Sequence, residues 1–164
     1  MKIDTIVEAL NNHVGLSTWQ IRRIKSRSNQ LYLIGHDTES KRTVDTDRYA
    51  ITVFVEREAE GRKVLGESEC LYTPGEELKT KIGQSAAMAA LVANEPFMLP
   101  EAGQKYELPE TVDLEIKERP DAVIDRIKDD IFSAVDSEKG VCLSAAEIYA
   151  NHQDVTILNS RGLR

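Results

Sequence analysis

The sequence has only two cysteines, few aromatic residues and no long apolar run. Cys70 and Cys142 are distant in sequence, so they indicate a reducing compartment rather than a disulfide scaffold. A membrane-spanning helix needs an apolar stretch of about 18 residues or more, and neither such a stretch nor a signal-peptide pattern is present. These features predict a cytoplasmic protein with no membrane partner.

Positive charge is also scarce. Lys and Arg number 21 against 28 Asp and Glu, which gives a net charge of −7. Nucleic-acid binding needs positive charge gathered on one face, so we expect no nucleic-acid partner. The most basic stretch contains Arg22, Arg23, Lys25 and Arg27. Strand geometry divides these four residues between two faces, which favours a solvated edge.

No catalytic or metal-binding motif is recognisable. The only histidines are His13, His36 and His152, which are expected at a helix end, in a loop and in a turn. A zinc hydrolase needs about three protein ligands in a recognisable spacing, and no His-Glu-x-x-His pattern or glycine-rich phosphate loop occurs. Cys70 and Cys142 are expected to be small buried side chains. We therefore predict no catalytic, cofactor-binding or metal-binding residue.

Carboxylates crowd one predicted helix, where they offer a possible acid/base or cation site. They are Asp125, Asp129, Asp130, Asp136 and Glu138. Arg126 and Lys128 are interleaved with them, and helical spacing places most of them opposite an apolar stripe. A solvated helix face is the better interpretation.

The strongest local pattern is a hairpin followed by a helix. Tyr49–Glu56 alternates as a strand does, Glu60-Gly61 supplies a turn, and a second strand returns over about residues 63–72. The next helix is predicted over Glu76–Ala93, with Thr73 as its cap and Glu76 closing a capping box. Its small-residue face can lie close on a sheet and consists of Leu78, Ile82, Ala86, Ala89 and Ala93.

The preceding residues predict a helix over Ile3–Val14, ended by Gly15, and then two strands. These strands are Ser17–Ser28 and Gln30–Ile34, joined by a turn at Ser28-Asn29. Residues 42–47 lead into the central hairpin. About four strands therefore separate the first two helices, which favours an antiparallel meander.

After Asn94 an extended crossing segment is predicted, because prolines interrupt apolar residues that favour burial. Those residues are Phe97, Met98, Leu99, Tyr106 and Leu108. A third helix begins at Pro120 and ends at Gly140. A strand pair, Val141–Asn151 and Val155–Asn159, closes the chain with a joint near His152.

The predicted fold class is α+β, an antiparallel meander sheet of about four strands with helices packed on it, plus a C-terminal strand pair. We expect a single domain over residues 1–164. The turn sequence Asn159–Gly162 follows a strand but has no partner strand after it. Residues 141–164 are therefore expected to form a terminal hairpin that leads into a missing second domain.

The order of these parts resembles the N-terminal domain of the TldD/PmbA family. The resemblance covers nearly the whole chain, and order and spacing support it more than any single motif. Its parts are the opening helix, the meander ending in Tyr49–Val55, the Ala-rich helix, Asn94–Pro100, the Pro-started helix and Val155–Gly162.

Members of this family were first described as modulators of DNA gyrase and later as peptidases. The resemblance implies an N-terminal α+β domain that precedes a region with a His-Glu-x-x-x-His zinc site. It also implies homo- or hetero-dimers that trim unfolded peptides in an internal cavity. The zinc motif is absent here, so zinc is expected only in the full-length family. A non-catalytic scaffold domain with a TldD/PmbA-like partner follows as the first hypothesis.

A stand-alone peptide- or protein-binding module is the alternative. An unpaired strand Val155–Asn159 offers free backbone groups, and such an edge invites pairing with another strand. We expect self-association through this strand. Whether the chain is itself an enzyme stays open at this point.

Overall fold

A computed structural model describes residues 3–103 and 111–163. Tyr106 and Leu108, two of the residues expected to be buried, lie outside these ranges. The elements in chain order are α1 (Ile3–Asn11), β1 (Thr18–Ile34), β2 (Asp37–Ala59), β3 (Arg62–Tyr72), α2 (Leu78–Ala89), α3 (Leu114–Glu118), α4 (Pro120–Ser137) and β4 (Ala145–Asn159).

The four strands form one antiparallel sheet in the order β3-β2-β1-β4. The predicted α+β class with a meander sheet and packed helices is confirmed. The central hairpin is also confirmed, since Tyr49 lies opposite Tyr72 and Ala59 opposite Arg62. Its turn residues Glu60 and Gly61 have φ values of 52° and 74°, and a two-residue hairpin turn with positive φ at both residues matches the twist of the strands.

The predicted turn at Ser28-Asn29 is wrong, because β1 runs through it without a break. Asn29 is buried, and its Oδ1 accepts a hydrogen bond from Thr43 Oγ1 at 2.8 Å. This partner satisfies the side chain within the strand, so it no longer favours a turn. Three long strands, not four, therefore lie between α1 and α2.

The predicted C-terminal strand pair is one continuous strand, β4, and His152 lies within it rather than in a turn. The short helix α3 was not predicted. It begins after Asp113, whose Oδ1 accepts hydrogen bonds from the backbone N–H groups of Glu115 and Ile116 at 2.8 and 3.2 Å. This is the usual function of an aspartate at a helix N-cap.

The bounds of two predicted helices need correction. α1 ends at Asn11, and Val14, predicted on its apolar stripe, is 93% exposed. α2 covers Leu78–Ala89, so it begins after the predicted start at Glu76 and ends before the predicted end at Ala93. Glu76 does accept a hydrogen bond from the Thr73 N–H at 2.6 Å, as expected. That bond closes a turn ahead of the helix instead of capping the helix itself.

The described residues group into two compact units. The first contains residues 3–24, 47–103 and 155–163. Helices α1 and α2 pack in this unit. Its main core is formed by Ile6, Leu10, Trp19, Ile21, Tyr49, Ile51, Val53, Tyr72, Ile82, Ala89 and Leu158. A smaller cluster of Phe54, Leu65 and Leu99 completes its buried apolar residues.

The second unit contains residues 25–46 and 111–154. Helices α3 and α4 pack against each other in it. Its core is small and consists of Leu31, Leu33, Ile124, Ile148 and Ala150. Within the described residues, no helix has both the length and the apolar character of a membrane span.

Candidate interaction surface

The three histidines do not assemble a metal site. His36 lies in the turn between β1 and β2, with Nε2 3.0 Å from Asp136 Oδ1, and His152 Nε2 is 3.4 Å from Asp154 Oδ1. His13 follows the end of α1. Across residues 3–103 and 111–163 no three His, Cys, Asp or Glu side chains are grouped as metal ligands.

The cysteines differ from each other. Cys70 on β3 is half-buried, whereas Cys142 is exposed, so the expectation of burial is wrong for Cys142. Both cysteines are free thiols. The residues around Cys142 form no regular element in the structure.

The basic stretch lies on β1, which is flanked by β2 and β4 and is therefore not an edge strand. Carboxylates accompany its arginines. Arg22 lies 3.7 Å from Glu69. Arg23 binds Asp47 through two hydrogen bonds of 2.9 and 2.5 Å, and this pairing raises the pKa of Arg23. These pairs compensate the positive charge locally.

Arg23 also lies over the ring of Tyr49, with its Cζ 5.5 Å from the ring centroid. The Tyr49 side chain is fully buried, and burial raises the pKa of its phenol. Its hydroxyl has no hydrogen-bond partner within the described residues. A buried hydroxyl without a partner loses its hydrogen bonds to water and forms none within the protein, which destabilises the fold.

Tyr49→Phe is therefore expected to raise the free energy of unfolding by about 1 kcal/mol. Tyr32→Phe is the matched control, because that hydroxyl donates to Gln30 Oε1 at 3.0 Å and accepts from Arg42 at 2.8 Å. The control is expected to lower stability. Urea unfolding of both variants measures the difference, and a destabilised Tyr49→Phe protein contradicts the prediction.

A network of polar side chains on the second unit had no signal in the sequence. Tyr149 donates to Glu147 at 2.5 Å, and this hydrogen bond is the main cause of its raised pKa. The Tyr149 hydroxyl is 3.2 Å from that of Tyr32, which accepts from Arg42. These groups satisfy one another, so we assign the network a structural role.

The carboxylates of α4 are exposed, as expected of a solvated face. Lys128 Nζ lies 3.6 Å from both Asp125 Oδ1 and Asp129 Oδ1. Asp136 pairs with His36. Lys128 thus pairs with two of these carboxylates, as exposed charged side chains commonly do.

An exposed apolar stretch covers residues 88–98, and the sequence analysis did not predict it. We call this stretch the docking segment. Met88, Leu91, Phe97 and Met98 are all exposed, Leu91 by 77% and Met98 by 81%. Burial was expected for Phe97 and Met98, and this is wrong. The neighbouring Leu99 is buried as expected.

The docking segment is firmly attached to β2 and β3. Asn94 and Leu65 exchange two backbone hydrogen bonds of 3.1 and 3.0 Å. Arg57 Nη2 donates to the carbonyl of Val92 at 3.2 Å. The ring of Phe97 meets that of Phe54 edge to face, 5.5 Å between centroids. A fixed backbone that presents large apolar side chains to solvent is typical of a protein-binding surface.

The second candidate surface is the free edge of β4. In the sheet of the described residues, β4 has a neighbour on one side only, namely β1. Val155 and Ile157 in its last part are exposed. Such a strand leaves backbone donors and acceptors available to another chain.

Comparison with known proteins finds a match in fold. No protein-family model matches this sequence, and no curated protein matches it. TldE from Thermococcus kodakarensis matches with a TM-score of 0.67 and 21% identity, over 98% of this chain and 35% of that one. A candidate modulator of a DNA gyrase from Thermotoga maritima matches with a TM-score of 0.63 and 21% identity, over 99% and 36%.

The resemblance to the TldD/PmbA family is thereby confirmed at the level of the fold. The chain spans about a third of the length of each of these two structures. The zinc-dependent activity and the partners implied by the resemblance concern whole proteins of that kind.

Proposed function

We propose that this chain is a non-catalytic scaffold domain of a TldD/PmbA-like protein, a metallopeptidase type that acts on unfolded peptides. Its task is to hold a second domain or protomer in place around a peptide-admitting cavity. The observation that carries this proposal is the docking segment, which is hydrogen-bonded to the sheet yet exposes Met88, Leu91, Phe97 and Met98. The fold shared with TldE supports it.

Apolar burial explains why this segment is suited to that task. Removing apolar surface from water contributes about 25 cal/mol per Å², and large side chains at the centre of an interface contribute most. The backbone is already fixed by Asn94 and Arg57. Association therefore costs little additional ordering of the chain.

A cytoplasmic location is part of the proposal, since both cysteines are free thiols.

The test is co-purification of this chain with a TldD/PmbA-like protein from the same genome. The variant Leu91→Asp with Met98→Asp is expected to weaken the complex about tenfold or more, because it places charge in an apolar contact. The control, Thr38→Asp with Ser40→Asp, adds the same charge at exposed positions on β2 and is expected to change little. A complex of unchanged affinity in the first variant contradicts the proposal.

The free edge of β4 favours a second candidate, capture of an extended peptide by strand addition. The exposed stretch Val155–Ile157 marks the position, and a second copy of the chain can use the same edge. Light scattering is expected to show self-association that Ile157→Lys removes, since an edge lysine discourages strand pairing. A monomer at high concentration, without binding of an unfolded peptide, counts against this candidate.

A further inference from the structure

A cavity of about 740 Å³ opens in the first unit between α1 and α2. The residues that α1 contributes include Glu8 and Ala9, which lie on one face of the helix, while Ile6 and Leu10 on the other face are buried in the core. Small-molecule sites in proteins have volumes of about 300 to 1,000 Å³. The cavity is thus large enough for a small ligand or for one side chain of a peptide.

Part of the cavity wall is apolar. Ala9, Leu78 and Ile82 line it together with Tyr72. Ile82 is fully buried and belongs to the main core, whereas Leu78 is half-buried at the start of α2. An aliphatic stem of a few carbon atoms is the group that such a wall accommodates.

The remaining wall carries an excess of negative charge. Glu8, Glu76 and Glu77 line the cavity, and the basic side chains among the described lining residues are those of Lys79 and His13. Glu76 is already bound by Lys81 Nζ at 2.7 Å, and this hydrogen bond is the main cause of its lowered pKa. Glu8 and Glu77 make no ion pair within residues 3–103 and 111–163. Two carboxylates without an ion pair beside an apolar wall favour a cation.

We infer that this cavity binds a guanidinium or ammonium group on a short apolar stem, such as the side chain of arginine or lysine. Glu8 and Glu77 supply the counter-charges, and Leu78 and Ile82 pack against the stem. The site uses neither the docking segment nor the β4 edge. A negative result for cation binding therefore does not contradict the proposed function, and the reverse also holds.

The experiment is an amide-resonance NMR titration of the full chain with three probes. They are acetyl-arginine-methylamide, its uncharged analogue acetyl-citrulline-methylamide, and butylguanidinium. The arginine derivative is expected to shift the amides of Ala9, Leu78 and Ile82 and to bind about fivefold more tightly than the citrulline derivative. Binding of butylguanidinium shows that the cation and its stem suffice, and binding of the arginine derivative alone shows that the peptide groups contribute.

Charge variants complete the test. Glu8→Gln with Glu77→Gln is expected to weaken binding of the arginine derivative about fivefold. Glu58→Gln with Glu67→Gln makes the same change in net charge at exposed positions outside the cavity and is expected to leave affinity unchanged. Equal binding of the citrulline derivative, shifts confined to another surface, or no shifts with any probe would overturn the inference.

Discussion

Gly66→Ala is expected to lower the free energy of unfolding by about 3 kcal/mol or more. A Cβ at position 66 would lie 1.8 Å from the carbonyl oxygen of Ala89 and 3.1 Å from that of Val92. Both are backbone atoms, which cannot rotate away as a flexible side chain does. The alanine therefore forces the end of α2 away from β3.

Gly83→Ala is the matched control. This glycine lies inside α2, where the nearest atom that the described residues offer to an added Cβ is His13 Nε2, at 3.9 Å. Alanine is favoured over glycine in a helix interior by about 1 kcal/mol, so the control is expected to gain stability. Urea unfolding followed by circular dichroism measures both variants. Equal stability of Gly66→Ala and the wild type would show that α2 does not approach β3 this closely.

Asn159→Ala is expected to cost about 2 to 4 kcal/mol, because three hydrogen bonds disappear at a buried position. Asn159 Nδ2 donates to the carbonyl of Pro100 at 2.8 Å. Its Oδ1 accepts from the backbone N–H groups of Arg161 and Leu163 at 2.9 and 3.2 Å. The side chain thus ties the final turn to the backbone at Pro100.

The control for this change is Asn151→Ala on the same strand. Asn151 is exposed on β4, and surface substitutions of this kind usually change stability by less than about 0.5 kcal/mol. Thermal unfolding of the two variants compares a buried and an exposed asparagine directly. Similar midpoints for both proteins contradict the structural role assigned to Asn159.

The sequence predicts those parts of the fold that local patterns determine. Tyr49, Ile51 and Val53 alternate as a half-buried strand does, and Glu60-Gly61 sets the hairpin turn, so the register of β2 and β3 follows from neighbours in the chain. Pro120 likewise marks the start of α4. The turn sequence at Asn159–Gly162 also forms a turn in the structure.

Contacts between residues that are distant in sequence determine the parts of the fold that were predicted wrongly. Asn29 stays in a strand because Thr43, 14 residues later, binds its side chain. His152 and its neighbours have the composition of a turn but continue as strand β4 beside β1. Propensity alone gives no information on such pairings, since tertiary context overrides it.

The docking segment was missed for a different physical reason. Apolar residues such as Phe97 and Met98 predict burial, but a sequence does not show whether the covering surface belongs to the same chain or to another one. The contact of Asn159 with Pro100, 59 residues away, was equally beyond local reasoning. The negative charge of the α1–α2 cavity also required the fold, because it combines Glu8 with Glu77.

The central claim is that this chain contributes binding surface and no metal chemistry. Metal analysis of the purified 164-residue protein, combined with an assay on an unfolded peptide, tests it most directly. The account predicts no stoichiometric zinc and no cleavage. One equivalent of zinc together with cleavage that a chelator abolishes would contradict it.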